Sequence, residues 1–507
     1  MGEFVLGIDY GSTVIKAGVF DMQGGEKGVC SVKVDNTSPK TGWYERDLEG
    51  VWESSKAAIT GAVKAAAEKY GISADGIAAV SLTGHGNGAH LVDKNGRGTR
   101  PAIQSTDNRA ASYVERWKND GSFSRIHPMN MQAIWPAHSL CVMAWLRDNE
   151  REALDKTKWI LNPKDFIRLR LTGEAFLEYS DASGSGLINT RDRRIDPAML
   201  DMAGLGFLAE KLPPLRYAAD PCGAVTAAAA AETGLKAGTP VAAGCYDIDS
   251  AGLATGLTDE SLMNVIAGSW ANNQFISRTP LVSEDFFSTT VYAIEGYYLM
   301  LEGSATGAIN LEWFVERFME AERGLAKQAG KEVYALCDEA AASVKPDASR
   351  IIFLPFLYGS NVNFKATGTL LGLEGSHTRA EVIRAFFEGI CFTHRYHIEK
   401  MASYGRVPEI VRMAGGAAKS GVWRQMFADV LQKPVEVTAA TELGTLGAAM
   451  CAAVLAGACP GLPEAAKKMV RVTGRTDPNP GLFDVYTRKY QSYKRAIEAL
   501  DSYWNEA

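Results

Sequence analysis

No stretch of the 507-residue chain approaches the roughly 18 uninterrupted apolar residues that a membrane span needs, so none is expected. No C-x-x-C pair occurs among the eight scattered cysteines, which excludes a zinc knuckle and fits a reduced, cytoplasmic protein. An excess of positive charge is also missing. Lys and Arg number 53 against 59 Asp and Glu, a net charge of −6, so no basic field gathers nucleic-acid phosphates. The first residues, MGEFVLGIDYGST, carry Glu3 and Asp9 where a leader peptide is cationic and then apolar. With 46% apolar and 22% charged residues the chain is not largely disordered, and its length suggests two large domains.

What is present is glycine, 50 residues of it, between short apolar runs and amphipathic ones. The pattern predicts α/β construction. Residues 4–9 and 14–20 read as strands joined by Tyr10-Gly11-Ser12-Thr13, residues 49–70 as a helix stopped by Gly71, and 77–84 as a buried strand. The run 90–98, with its Asn-Gly turn, reads as a hairpin, so the opening order is strand, strand, helix, strand, strand. The second half repeats the style. Strands are expected at 262–268, 297–303, 409–416 and 434–438, and helices at 379–405, 420–432 and 445–457. Gly11 and Gly268 lie 257 residues apart, close to half the chain, and each is followed by a hydroxyl residue. Two like domains, each offering one phosphate-binding turn to a shared cleft, produce such spacing. The boundary is placed near 250–257, giving domains 1–250 and 251–507.

Three segments carry chemistry. In Gly7-Ile8-Asp9-Tyr10-Gly11-Ser12-Thr13, with Lys16 following, a carboxylate ends a strand before a tight glycine turn and a cation. Backbone N–H groups and Lys suit phosphate oxygens, and the carboxylate suits Mg²⁺ or its waters; a plain hairpin with a capping Asp reads equally well. In Val241–Asp249, Asp247 follows a strand and is placed to take a proton from an alcohol attacking phosphorus. The competing reading is a helix cap, for which Asp249 is the more natural residue. In Met413–Ser420 a strand enters a Gly-Gly turn whose small residues suit a flat adenine ring, although the P-loop pattern fails at Met413 and Ala418. Gly84-x-Gly86 precedes a strand and turn rather than a helix, so it is no dinucleotide fingerprint. His394 and His397, at i and i+3, read as a structural pair rather than metal ligands. Trp135 and His138 line a pocket or fill core.

Together the motifs resemble the FGGY family of carbohydrate kinases over nearly the whole chain. The resemblance rests on GIDYGSTVIKAGVFD, GWYERDLEGVW, LNPKDFIRLRLTGE, YSDASGSGL, PVAAGCYDIDSAG, FLPFLYGS and AGGAAKSGVWRQMFADVLQKPVEV, in that order. It implies two actin-like (ribonuclease H-like) domains with a nucleotide cleft between them, and ATP with Mg²⁺ as cofactors. By position it implies Asp247 as general base and Asp9 as the Mg²⁺-side carboxylate, the two facing each other across the cleft. It implies Gly11, Ser12, Thr13, Lys16, Gly268 and Ser269 as phosphate contacts, and Gly307, Gly416, Ala417 and Ser420 around the nucleotide. Gly84-His85-Gly86-Asn87-Gly88 and Ser105 look most like the L-xylulose kinase subgroup. His85 and Asn87 stand where that subgroup has Gln and Lys, and the lost cation argues against an anionic sugar. His85, Asn87 and Asp107 are expected to bind a small neutral ketose or polyol, L-xylulose first, with Asp247 touching the same substrate. D-xylulose, erythritol, 3-keto-L-gulonate and glycerol are the alternatives, and from another class an actin-like or chaperone ATPase. Partners other than the substrate are not expected, whether nucleic acid or membrane; monomer and homodimer both stay open.

Overall fold

The computed structural model describes residues 2–330, 332–405 and 407–506, so the end residues of the two expected domain spans, 1 and 507, lie outside it. The chain opens with β1 (Phe4–Tyr10) and β2 (Val14–Asp21), an antiparallel hairpin. β3 (Glu26–Lys33) pairs with β2 and is absent from the expected opening order. Only Gly28 of its eight residues is fully buried, and its apolar residues Val29, Cys30 and Val32 are half-buried. α1 (Leu48–Tyr70) starts where the Asp47 carboxylate accepts the Gly50 N–H at 2.8 Å and stops at Gly71, whose φ of 68° suits a residue without Cβ. β4 (Ile77–Gly84) follows, and His90–Val92 makes the expected hairpin, closed by a bridge from Val92 to Gly98. Further on come β5 (Pro221–Ala224), β6 (Pro240–Ala242), β7 (Cys245–Tyr246) and α2 (Asp247–Thr255).

The later elements are β8 (Leu262–Ala267), β9 (Ala271–Ser277), β10 (Tyr298–Ser304), α3 (Ile309–Phe318), α4 (Val333–Ser343) and α5 (Arg379–Ala402). β11 (Ile410–Ala414), α6 (Gly421–Leu431), β12 (Val435–Thr438), α7 (Leu443–Leu455), β13 (Val472–Thr476) and α8 (Phe483–Glu506) complete the set. α5 begins with a reciprocal capping box between Thr378 and Glu381.

Two compact units result. The first holds the chain up to Thr258 with Ile276–Met300 and Ala440–Arg471; the second holds Asp259–Phe275, Leu301–Ala439 and the chain from Val472 onward. This division differs from a single cut near residue 250. In particular α7, which follows the second half in sequence, packs in the first unit.

In the first unit the strand order is β5-β6-β4-β1-β2-β3, and β7 also pairs with β4. β1 is antiparallel to β2 and parallel to β4, which is parallel to β6 and β7. The second unit runs β9-β8-β11-β12-β13, with β8 antiparallel to β9 and parallel to β11, and β11 parallel to β12. Each sheet therefore joins a hairpin to central parallel strands and ends on an antiparallel one, β5 on β6 and β13 on β12, and parallel neighbours need a crossover such as α1, α5 or α6. The same order in both units is the physical source of the repeat seen in the sequence.

α7 fits the first unit because its face is nearly all small residues. A Cβ at Gly7 of β1 would lie 1.9 Å from the Thr445 carbonyl oxygen, and one at Gly447 would lie 2.3 Å from the Ser250 carbonyl oxygen of α2. Backbones touch at both points. Gly447→Val should therefore lower Tm by several degrees, since forcing a side chain into a packed contact costs about 1–3 kcal/mol or more. Thermal melts followed by circular dichroism check this, and an unchanged Tm would contradict the packing of α7 on α2.

Candidate active site

The register of the first sheet assembles a polar edge. Asp9 pairs with Thr83 and Tyr10 with Gly84; on the other side of β4, Cys245 pairs with Thr83 and Tyr246 with Gly84. β1 and β7 thus flank one strand, with axes roughly 10 Å apart by the usual inter-strand spacing. Asp9 and the Asp247 segment leave the same end of one sheet, from the ends of two strands within one unit. The His85 N–H, just past the end of β4, donates to the Tyr10 carbonyl at 3.0 Å, which places His85 beside both.

Asp9 is partly buried, and Gly444 at the start of α7 backs its carboxylate: a Cβ there would lie 2.2 Å from Asp9 Oδ2. Burial, with Glu442 adding and Lys16 opposing, pushes the Asp9 carboxyl up to about 6. Lys16 lies opposite Asp9 in the hairpin but is paired with Glu442 at 2.7 Å. The cation expected for phosphate is thus committed to a carboxylate here. The Gly11 N–H closes its own turn on the Val14 carbonyl at 3.0 Å, so Gly11 shapes the turn rather than offering a donor. Ser12 and Thr13 stand exposed at its tip, held through their carbonyls by Arg46 and by the Val34 N–H.

Asp247 is the first residue of α2, and its carboxylate receives backbone N–H groups at Ile248 and Asp247 itself. Asp249, the residue better placed in sequence to cap, turns away and accepts the Ala293 N–H at 2.8 Å. Burial first, then the negative charges of Asp9 and Asp181, push the Asp247 carboxyl well above the usual carboxylate range. Behind it lies a charge cluster for which the sequence assigned no roles. Lys164 Nζ is 3.0 Å from Asp165 and 3.1 Å from Asp181, and Arg168 is 2.9 Å from Asp165, all fully buried. Glu178 accepts the Ser180 hydroxyl at 2.6 Å, and Ser180 Oγ in turn accepts the Tyr246 N–H at 3.0 Å, which fixes the residue before Asp247.

His85 Nδ1 is 3.2 Å from the Gly86 carbonyl, which makes it the donor nitrogen and leaves Nε2 a buried acceptor without a partner. Burial, reinforced by Arg46, brings His85 down to about 4, so it is neutral at pH 7. Asn87 sits in the left-handed region at φ 67°, accepts the Ser139 N–H at 3.3 Å and hydrogen-bonds Tyr246. Asp107 is a correction. Its two oxygens accept Tyr44 N–H at 2.7 Å and Arg109 N–H, Nε and Nη2 at 2.8, 2.8 and 2.9 Å, which fills its four lone-pair directions. It braces Arg109 and is not available to a substrate hydroxyl. Three residues earlier, Gln104 is 3% exposed and neither amide atom has a partner, a group the sequence reading passed over. The available signal was a polar amide beside an apolar strand end. Trp135, half-buried, stacks on Phe287 at 5.4 Å, and His138 is wholly buried.

The second unit carries three glycine turns at one point. A Cβ at Gly307 would lie 2.4 Å from the Gly268 carbonyl oxygen, and one at Gly415 would lie 2.8 Å from the Gly268 nitrogen. Beside them opens a cavity of about 710 Å³ lined by Gly268, Ser269, Gly416, Ala417, Ser420 and Trp423, among others. Ser420 accepts the Trp423 N–H at 3.0 Å, capping α6, and donates to Asp338 at 2.7 Å. His394 and His397 are structural: both ring Nδ1 atoms bond Asn273, at 2.7 and 3.0 Å.

The family description "FGGY family of carbohydrate kinases, N-terminal domain" matches residues 4–254, and its C-terminal counterpart matches 263–456. The chain belongs to the FGGY family of carbohydrate kinases. The FGGY activity, ATP-dependent phosphorylation of a carbohydrate, is accordingly the activity of this enzyme. The chain is 33% identical over 504 residues to the L-xylulose/3-keto-L-gulonate kinase of Escherichia coli (strain K12), covering 99% of this chain and 98% of that one. It is 32% identical to the probable L-xylulose kinase of Pasteurella multocida (strain Pm70), covering 98% and 99%. Among solved structures, the xylulose kinase from Rhodospirillum rubrum superposes with a TM-score of 0.87 at 26% identity, covering 99% of this chain and 100% of that one. No helix among the described residues is long and apolar enough to cross a membrane.

The raised Asp9 pKa has a sign that can be measured. A carboxyl whose folded pKa lies above its ordinary 3.8 favours the folded state below that value and loses this favour as pH rises through about 6. Asp9→Asn mimics the neutral form. It should melt higher than the parent protein at pH 7.5 and show no such gain at pH 4, while turnover falls. A lower Tm at pH 7.5 would contradict the assignment.

Proposed function

We propose that this kinase phosphorylates a small neutral ketose or polyol, with L-xylulose the first candidate, using Asp247 as general base. The carrying observation is the uncharged character of the polar groups at this strand end: neutral His85, Asn87 bonded to Tyr246 next to Asp247, and the unpartnered Gln104 amide, whose backbone lies against Gly88. Of the buried cations, Lys164 is already surrounded by Asp165, Glu178 and Asp181, and Arg46, which acts on His85, bonds Asn36 and the Ser12 carbonyl. Neither His85, Asn87 nor Gln104 offers an anionic sugar a counter-charge, whereas hydroxyls find acceptors at His85 Nε2 and at Gln104. The names of the two bacterial relatives share L-xylulose, and the first also carries the anionic 3-keto-L-gulonate.

The N-terminal domain supplies the base and the sugar-binding groups, and the C-terminal domain the nucleotide site at Gly268, Ser269, Gly416, Ala417 and Ser420. The raised pKa of Asp247 makes it a strong acceptor for a hydroxyl proton as the oxygen attacks phosphorus. Asp9, a partly buried carboxylate beside Glu442, fits a Mg²⁺ ion, held directly or through water. When bound, that ion neutralises phosphate charge. Ser12 and Thr13 face the same turn. A reducing cytoplasm suits the eight free thiols.

A coupled ADP-release screen of L-xylulose, D-xylulose, erythritol, glycerol and 3-keto-L-gulonate should give the highest kcat/KM with L-xylulose. A best result with the anionic 3-keto-L-gulonate would overturn the neutral-substrate reading. Asp247→Asn keeps the shape but removes the proton acceptor. It should cut kcat by about 10²–10⁴-fold with ATP affinity nearly unchanged; a kcat within a few-fold of the parent would remove Asp247 from the chemistry.

A further inference from the structure

The cavity in the second unit contains a carboxylate that neither the sequence motifs nor the phosphate chemistry uses. Asp338 on α4 lines it, together with Tyr334, Ser420 and Trp423. Asp338 is half-buried, and its one hydrogen-bond donor among the described residues is the Ser420 hydroxyl at 2.7 Å. Lys419 lines the same cavity but makes no ion pair with it among the described residues. Burial pushes the Asp338 carboxyl up and the Ser420 hydroxyl pulls it back, so it remains an acceptor with a second oxygen to satisfy.

This position constrains which part of a nucleotide lies there. A phosphate chain beside an uncompensated carboxylate is repelled, so the phosphates belong at the glycine turns, where Gly268, Gly307 and Gly415 bring backbones together. The neutral nucleoside then occupies the end bounded by Asp338. A carboxylate only accepts. Adenine offers an exocyclic amine, a donor; guanine and hypoxanthine offer a carbonyl oxygen at the same ring position. Ser420 holds the carboxylate in place, because its own oxygen is fixed by the Trp423 N–H at the start of α6.

Resting on the nucleotide-site reading above, we propose that Asp338, oriented by Ser420, is a specificity residue that selects adenine by accepting its exocyclic amine. The reacting phosphate is untouched by it, so the residue governs the choice of donor nucleotide and not the rate of transfer from a bound one.

Steady-state kinetics with ATP, ITP, GTP and 2′-deoxy-ATP on the full-length protein, with its best sugar at saturation, test this. The parent enzyme should prefer ATP to ITP and GTP by roughly tenfold or more in kcat/KM, the scale of one buried hydrogen bond replaced by a repulsive contact. Asp338→Asn can both donate and accept. It should bring ATP and ITP within about threefold of each other, mainly through KM. Equal use of ATP and ITP by the parent overturns the inference and leaves the kinase reading intact, whereas no ADP release with any sugar defeats the kinase reading itself. A variant that melts lower but keeps the parent ATP/ITP ratio makes Asp338 a brace for α6 and overturns the proposal. A parent penalty for 2′-deoxy-ATP that Asp338→Asn abolishes, with the base ratio unchanged, assigns the contact to ribose and overturns it as well. Should Asp338→Asn not fold, the parent's own ATP/ITP ratio still decides.

Discussion

Backbone-to-backbone contact between α7 and the first sheet sets the position of the groups around Asp9. Three glycines let α7 close in: Gly7 of β1 meets the Thr445 backbone, Gly447 meets the Ser250 backbone of α2, and Gly444 meets the Asp9 carboxylate. Any side chain at these places would push α7 outward. With α7 seated, its first turn backs Asp9, and Glu442, just before it, takes Lys16. α2 is drawn against the same helix, and α2 begins with Asp247. A run of small residues that looks bland in sequence is thus what brings a helix close to two acidic strand ends.

Around this scaffold the electrostatics are deliberately unbalanced. Burying Asp165, Glu178 and Asp181 with Lys164 and Arg168 leaves negative charge in excess, and breaking such a set would strand an uncompensated ion. The cluster holds the Asp247 segment through Ser180 and raises the affinity of Asp247 for a proton through Asp181. The same residues therefore place the Asp247 carboxylate and tune it. His85 runs the other way: burial and Arg46 keep it neutral, suited to hydrogen bonding rather than to charge. Perturbed groups gathered at the C-terminal ends of strands are the pattern expected of an α/β active site.

In the second unit the glycine turns meet backbone to backbone. Gly268, Gly307 and Gly415 come from the ends of three different strand segments, and a Cβ on Gly307 or Gly415 would strike the Gly268 backbone. Side chains enter only around the adjoining cavity, where Ser420 and Asp338 share one proton donor and fix each other. The two units share a strand order but differ in polarity, one presenting acidic side chains and the other peptide groups.

By itself the sequence determined the α/β class, the two hairpin-led halves, most strands and helices, and the positions of Asp9, Asp247, Gly268 and Gly416. Apolar periodicity and glycine turns are local properties that one segment carries alone. β3 escaped because only Gly28 of it is fully buried, and Gln104 because an orphaned amide is defined by the absence of neighbours, which no local pattern records. Asp107 looked like a ligand until four donors were found around it. Only the tertiary structure could return α7 to the first unit, set Asp9 and Asp247 on one sheet edge, pair Lys16 with Glu442 and turn Asp249 to Ala293. Each of these depends on residues far apart in the chain meeting at contact distance, and the packing of whole elements, not the spacing along the chain, fixes which partners a charged or polar group finds.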